Sequence, residues 1–242
     1  MKVFVFENKE VLFERLSDYY ANEIRKNPEI VLGLATGGTP VPLYEKLILD
    51  HKVNKTSYKK VKTYNLDEYI GIPENHSQSY RTFMNETFFK HIDIDLKNTF
   101  VPKGDVEDIE AECRRYDKML EENQIDIQLL GIGTNAHIGF NEPGSDFNGK
   151  TMVVNLTQET RDANVRFFND MSEVPTTSIT MGIGSILKAK KIILVATGKN
   201  KAEAIKNTIE GIITKDVPAS ALQTHPNVEI YLDKEAASLL NK

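Results

Sequence analysis

The stretch Leu129-Leu130-Gly131-Ile132-Gly133-Thr134-Asn135-Ala136-His137-Ile138-Gly139-Phe140-Asn141-Glu142-Pro143 decides how this chain is read. It continues a strand that starts at Ile125, then breaks into glycines. Within eight residues it delivers an amide, an imidazole and a carboxylate. Open α/β sheets place their chemistry beyond the carboxyl ends of strands, where glycine lets a ligand approach the backbone closely. By spacing alone, two readings stand level. One is a βα turn with a capping Asn and a surface His. The other is a base, His137, held with an orienting partner.

Outward from this loop, apolar strands alternate with amphipathic helices. Strands are expected at Lys2 to Phe6, Ile30 to Ala35, Val61 to Leu66, Lys191 to Ala196 and Val228 to Leu232, with another at Met152 to Leu156. Helical spacing covers Glu10 to Arg25, Ser79 to His91, Val106 to Asn123 and Lys201 to Glu210. A helix after Pro40 carries Tyr44, Leu47 and Ile48. Thr177 to Lys188 and Lys234 to Leu240 are also read as helices. This alternation predicts an α/β fold, single-domain and Rossmann-like, with a mainly parallel sheet and helices on both faces. One domain over 1–242 is expected, with a lid within the irregular segment 141–178.

The 242 residues are 40% apolar and 27% charged, with a net charge of −5. That balance argues against general nucleic-acid or anionic-membrane partners. No apolar run reaches spanning length, and the acids in the N-terminal stretch argue against a signal peptide. A cytoplasmic location is the expectation. Cys113 is the sole cysteine; it lies in line with Ile109, Tyr116 and Leu120 and is read as core-facing. His51, His76, His91 and His225 show no metal-ligand spacing and are read as surface or loop residues. No metal and no cofactor are expected.

Three further places could carry chemistry. Thr36-Gly37-Gly38-Thr39 joins a strand to a helix: either a tight turn with a capping threonine, or a cradle of N–H groups for an anion. It matches neither GxxxxGK[ST] nor GxGxxG. Asp67 falls just past a strand end, where an acid is commonly a helix cap. With all strands parallel, it would share an edge with the central loop. Arg166 and Lys201 are cations of the kind that usually sit solvated, although a phosphate on a net-negative protein needs such partners.

GIGTNAHIGFNEPG, residues 131–144, resembles the signature of glucosamine-6-phosphate deaminases, also called isomerases. The likeness recurs at the Thr36 to Thr39 loop, at LDEY (66–69), at ANVRFF (163–168) and at GKNKA (198–202). The resemblance implies conversion of D-glucosamine 6-phosphate and water to D-fructose 6-phosphate and ammonia, in amino-sugar catabolism. It implies that Asp67 takes the C2 proton, and that His137 opens the sugar ring with Glu142 and Asn135 beside it. Thr36, Gly37, Gly38, Thr39, Arg166 and Lys201 would hold the phosphate. Many members carry Asp at the place of Asn135, so an altered pH dependence is expected here.

Three competing readings rank lower. Sugar-phosphate lactonases of the same superfamily generally lack the Phe140 to Pro143 continuation. Non-catalytic sugar-phosphate sensors are fused to DNA-binding domains, and no helix-turn-helix segment is read here. An oxidoreductase would need GxGxxG and a ribose-binding acid. Longer hexameric members bind N-acetylglucosamine 6-phosphate through basic residues soon after the catalytic loop. Thr151 to Asn155 contains none, and the longer C-terminal tail is not seen, so weak or no activation and a monomer or weak homo-oligomer are expected.

Overall fold

The computed structural model describes residues 1–165, 168 and 170–241. Seven strands form one sheet in the order β1 (Lys2–Phe6), β10 (Val228–Asp233), β9 (Lys191–Ala196), β6 (Ile127–Leu130), β2 (Val31–Leu34), β3 (Lys62–Asn65), β5 (Thr99–Phe100). Every neighbouring pair is parallel. Parallel neighbours need crossovers, and α1 (Lys9–Lys26), α2 (Val41–Asn54), α4 (Ile109–Glu122) and α7 (Ala202–Ile209) supply helices for them. All residues of β6 and β10 are buried. Successive side chains point to opposite faces, so both faces of the sheet are covered there. β1, at the edge, is mostly exposed.

The strand order fixes where a site can form. From β2 the chain moves outward through β3 and β5, then returns to the other side of β2 as β6 and moves outward through β9 and β10. β2 and β6 therefore flank the point where the winding reverses, and a crevice opens beyond their carboxyl ends. Leu12, Leu16, Tyr20 and Ile24, one stripe of α1, are fully or almost fully buried in the core. Cys113 is buried as its helical spacing predicts, and burial followed by Glu110, Asp117 and Glu112 pushes its thiol up to about 11.

Three expectations are corrected. A second, antiparallel sheet of three strands exists: β4 (Asp67–Tyr69), β8 (Thr177–Thr180) and β7 (Met152–Asn155). Asp67 thus lies just past the end of β3, as expected, but opens a strand of that second sheet. The helix expected over Thr177 to Lys188 is β8 followed by the short α6 (Ile183–Ile186). Its β-branched start favours a pleated strand, and Gly182 and Gly184 weaken a continuous helix. Lys234 to Leu240 forms successive turns, held by Ala236 N–H to the Asp233 carboxylate at 2.8 Å and by Ser238 and Leu240 N–H reaching back three residues. Bonds that reach back three residues, in place of a run reaching back four, keep this stretch from continuing as an α-helix. His225 is in a loop, as expected, and is buried there: one ring nitrogen lies 2.8 Å from the Ala189 carbonyl and the other accepts Asn227 N–H.

Candidate active site

A cavity of about 440 Å³ occupies the crevice. The loop after β2 contributes Thr36, Gly37, Gly38 and Thr39. The loop after β6 contributes Gly131 to Asn135, His137 and Gly139. Asp67 enters from β4, and Lys201 from the turn after β9. Sites expected at four separate places in the sequence thus face one space. Glu142 does not line it; this carboxylate lies behind Asn135. Arg166 falls outside the described residues.

In the loop after β2, Gly37 adopts φ +84°, and Pro40 caps α2 without a side-chain bond to its first turn. The leading N–H groups of a 14-residue helix are thus left to other acceptors. Lys201 is half-buried, and desolvation shifts its ammonium downward. No carboxylate among the described residues makes an ion pair with it. A desolvated cation beside a helix N-terminus is an electrostatic arrangement that an external anion would complete.

Asp67 is buried and lines the cavity. Burial, and after it the neighbouring Glu68, pushes its carboxyl up to about 8. Successive strand residues face opposite ways, so Glu68 points away from Asp67. It accepts the N–H groups of Tyr69, Tyr80 and Arg81 at 2.9, 2.9 and 3.0 Å. Tyr80 and Arg81 open α3 (Tyr80–Thr87), so Glu68 pins β4 to the start of that helix. Sequence reading gave Glu68 no role; its part is to fix the strand that presents Asp67. A proton-abstracting carboxylate benefits from such desolvation, because its basicity rises toward neutral pH.

The central loop forms a hydrogen-bonded relay. The Asn135 amide nitrogen donates to Glu142 Oε2 at 2.6 Å, and its carbonyl Oδ1 lies 2.7 Å from His137 Nδ1. Glu142 Oε2 is also 3.5 Å from Nδ1. An ionised carboxylate only accepts, so the amide must turn its nitrogen to Glu142 and its oxygen to the imidazole. That oxygen in turn requires the proton on Nδ1, which leaves Nε2 with a free lone pair. Burial alone would raise Glu142, but the adjacent His137 ring, the Thr160 hydroxyl and the Asn135 amide outweigh it and hold the carboxyl down to about 2. The amide therefore transmits an anion it does not carry.

Two glycines make this packing feasible. A Cβ on Gly133 would lie 2.3 Å from the His137 ring. Gly139, at φ +57°, places its backbone where a Cβ would sit 3.0 Å from Thr180 Oγ1 and 3.6 Å from Asp67 Oδ2. Gly133→Ala should therefore push the imidazole out of register. About 1–3 kcal/mol of overpacking is expected, with kcat falling roughly tenfold or more from misplacement. Melting curves and steady-state rates check both. Sequence reading also missed Thr160, which lines the cavity and donates to Glu142 Oε1 at 2.6 Å. The only signal for it is Thr157-Gln158-Glu159-Thr160, a capping pattern.

The model of the glucosamine-6-phosphate isomerase/6-phosphogluconolactonase family matches residues 7–231. The chain belongs to this family. The glucosamine-6-phosphate deaminase of Thermoanaerobacter pseudethanolicus strain ATCC 33223 / 39E is 51% identical over 241 residues, 99% of this chain and 95% of that one. That of Clostridium botulinum strain Eklund 17B is 50% identical over 242 residues, 100% of this chain and 97% of the relative. A solved structure of a monomeric glucosamine-6-phosphate deaminase superposes with a TM-score of 0.96 at 46% identity, covering 99% of this chain and 100% of that one. Members of this family are thus similar to the chain in sequence and fold along nearly its whole length. Among the described residues, no helix is long and apolar enough to cross a membrane.

Proposed function

We propose that the chain is a glucosamine-6-phosphate deaminase, converting D-glucosamine 6-phosphate and water to D-fructose 6-phosphate and ammonia. The observation that carries this reading is the shared cavity. A desolvated carboxyl, Asp67, and the imidazole of His137 face the same space as the glycine loop and Lys201, a cation with no carboxylate ion pair among the described residues. The phosphate binds at Thr36 to Thr39 and Lys201, with Arg166 joining it. Binding there holds the reacting carbons against Asp67 at no chemical cost to the site. His137 moves a proton between the ring oxygen and the anomeric hydroxyl, and the pyranose opens. Asp67 takes the C2 proton, giving an enolamine, and returns a proton at C1. Water then hydrolyses the C2 iminium, and ammonia leaves. The rearrangement is internal, so electrons balance without a redox partner.

On this reading the enzyme acts in the cytoplasm on amino sugars as a monomer or weak homo-oligomer, with a lid lying within 141–178. Support for the monomer is the similarity to a monomeric solved deaminase. The test is turnover of glucosamine 6-phosphate and of 6-phosphogluconolactone side by side. Stoichiometric ammonia and fructose 6-phosphate from the first, with little hydrolysis of the second, is expected. Hydrolysis of the lactone alone would refute the assignment.

Asn135→Asp sharpens the reading of the relay. It would set a second carboxylate about where an amide now lies 2.6 Å from Glu142. Two such anions do not both ionise at that separation, so one holds a proton to higher pH. Activity should survive, with its acid-side fall moved upward. An unmoved pH–rate profile would show that the amide and the carboxylate are electrostatically equivalent here.

A further inference from the structure

The two oxygens of Glu142 serve different parts of the molecule. Oε2 takes the Asn135 amide and faces His137 Nδ1. Oε1 accepts the Thr160 hydroxyl at 2.6 Å and lies 3.3 Å from the Thr157 hydroxyl oxygen. Both threonines belong to the start of α5 (Gln158–Asn164), where Thr157 is the N-cap. The cap itself is satisfied without Thr160's hydroxyl: Thr157 Oγ1 accepts Thr160 N–H at 3.2 Å. The Thr160 hydroxyl lies 3.0 Å from that of Thr157. This makes a chain of hydroxyls ending on the carboxylate, in which each bond polarises the next. Thr160 is 7% exposed and lines the cavity.

We propose that Thr160 is a positioning residue for the proton relay. Its hydroxyl holds Oε1 of Glu142, which keeps Oε2 directed at Asn135 and, through it, keeps the His137 ring aimed into the cavity. Without that donor, Oε1 keeps only the longer 3.3 Å contact to Thr157, and the carboxylate can rotate about its terminal bond, since such torsions are broad. Asn135 would then lose its fixed acceptor, and the imidazole would lose its fixed tautomer. The same hydroxyl ties the relay to the segment that leads in sequence to Arg166. The inference rests on the assignment of His137, Asn135 and Glu142 to ring opening.

The test compares Thr160→Val, which keeps the shape and removes the donor, with Thr160→Ser, which keeps the donor. Each is measured for kcat and KM on glucosamine 6-phosphate, alone and with Glu142→Gln. Thr160→Val should lower kcat about tenfold, the size expected for one bond to a charged acceptor. KM should stay within about twofold, because the phosphate groups lie on other elements, and Ser should restore most of the rate. In the Glu142→Gln background, Thr160→Val should add less than about twofold. An equal loss with and without Glu142, an unchanged rate in Thr160→Val, or no recovery with Ser would overturn the proposal. A second readout does not depend on turnover. The Nδ1–H resonance of His137 in nitrogen-15-labelled protein should match wild type in Thr160→Ser and shift in Thr160→Val. An unshifted resonance contradicts the positioning role. A wild type that releases no ammonia would instead remove the deaminase reading and leave this spectroscopic arm to decide on Thr160.

Discussion

Asp67→Asn is expected to lower kcat roughly 10²–10⁴-fold, the contribution usual for a positioned general base. Fructose 6-phosphate should still bind, because the anion end of the cavity is built from the loop after β2 and the turn after β9. Calorimetry with the product checks the binding and ammonia release checks the rate. The same variant should be more stable than wild type at neutral pH. The folded chain lifts the Asp67 carboxyl to about 8, whereas the unfolded value is about 4. Between those two values the native state keeps a proton that the unfolded state has released. Wild-type stability therefore falls as pH rises through that window. Asn does not titrate. The melting temperatures should coincide near pH 4, separate as pH rises, and differ most above pH 8. Equal melting temperatures at pH 4 and pH 8 would show that burial does not oppose ionisation at this position.

Lys201→Met is the second large effect. The ammonium is desolvated and has no carboxylate ion pair among the described residues, so an incoming phosphate gains its full attraction. Losing one partner of such a pair costs about 2–5 kcal/mol, or roughly 30- to several-thousand-fold in affinity. KM for glucosamine 6-phosphate should rise in that range, with a smaller fall in kcat. Met matches the stem of the lysine, so the melting temperature without ligand should hold or rise. Stability gained together with affinity lost is the pattern of a site that trades folding energy for function. A KM unchanged by the substitution would place the phosphate elsewhere.

Much of this site is legible in the residues themselves. The glycine break after Leu130 marks a strand end with chemistry beyond it, and Asn135, His137 and Glu142 arrive within eight positions. The parallel sheet follows from strands alternating with helices, which leaves few alternatives for topology. Asp67 is a harder case. Its motif points to a functional acid, but its place in a second sheet is invisible, because a three-residue strand has no measurable periodicity and its partners lie in β8, more than a hundred residues later. Thr177 to Lys188 misleads because apolar spacing there fits a helix, while the pairing of β8 with β4 and β7 decides otherwise. Thr160 is harder still. One hydroxyl among many carries no pattern, and only its approach to Glu142 distinguishes it. The relay's polarity likewise needs coordinates. Sequence shows that an amide can accept an imidazole N–H. Structure adds that the amide is itself held by Glu142, which fixes its oxygen toward the imidazole.

Tritium at C2 of glucosamine 6-phosphate gives the most direct test of Asp67 as the base. The wild type should move the label off C2, into water or onto C1 of the ketose, as ammonia appears. Asp67→Asn should bind the same sugar and leave the label where it began. A variant that relocates tritium at the wild-type rate would contradict the account at its centre.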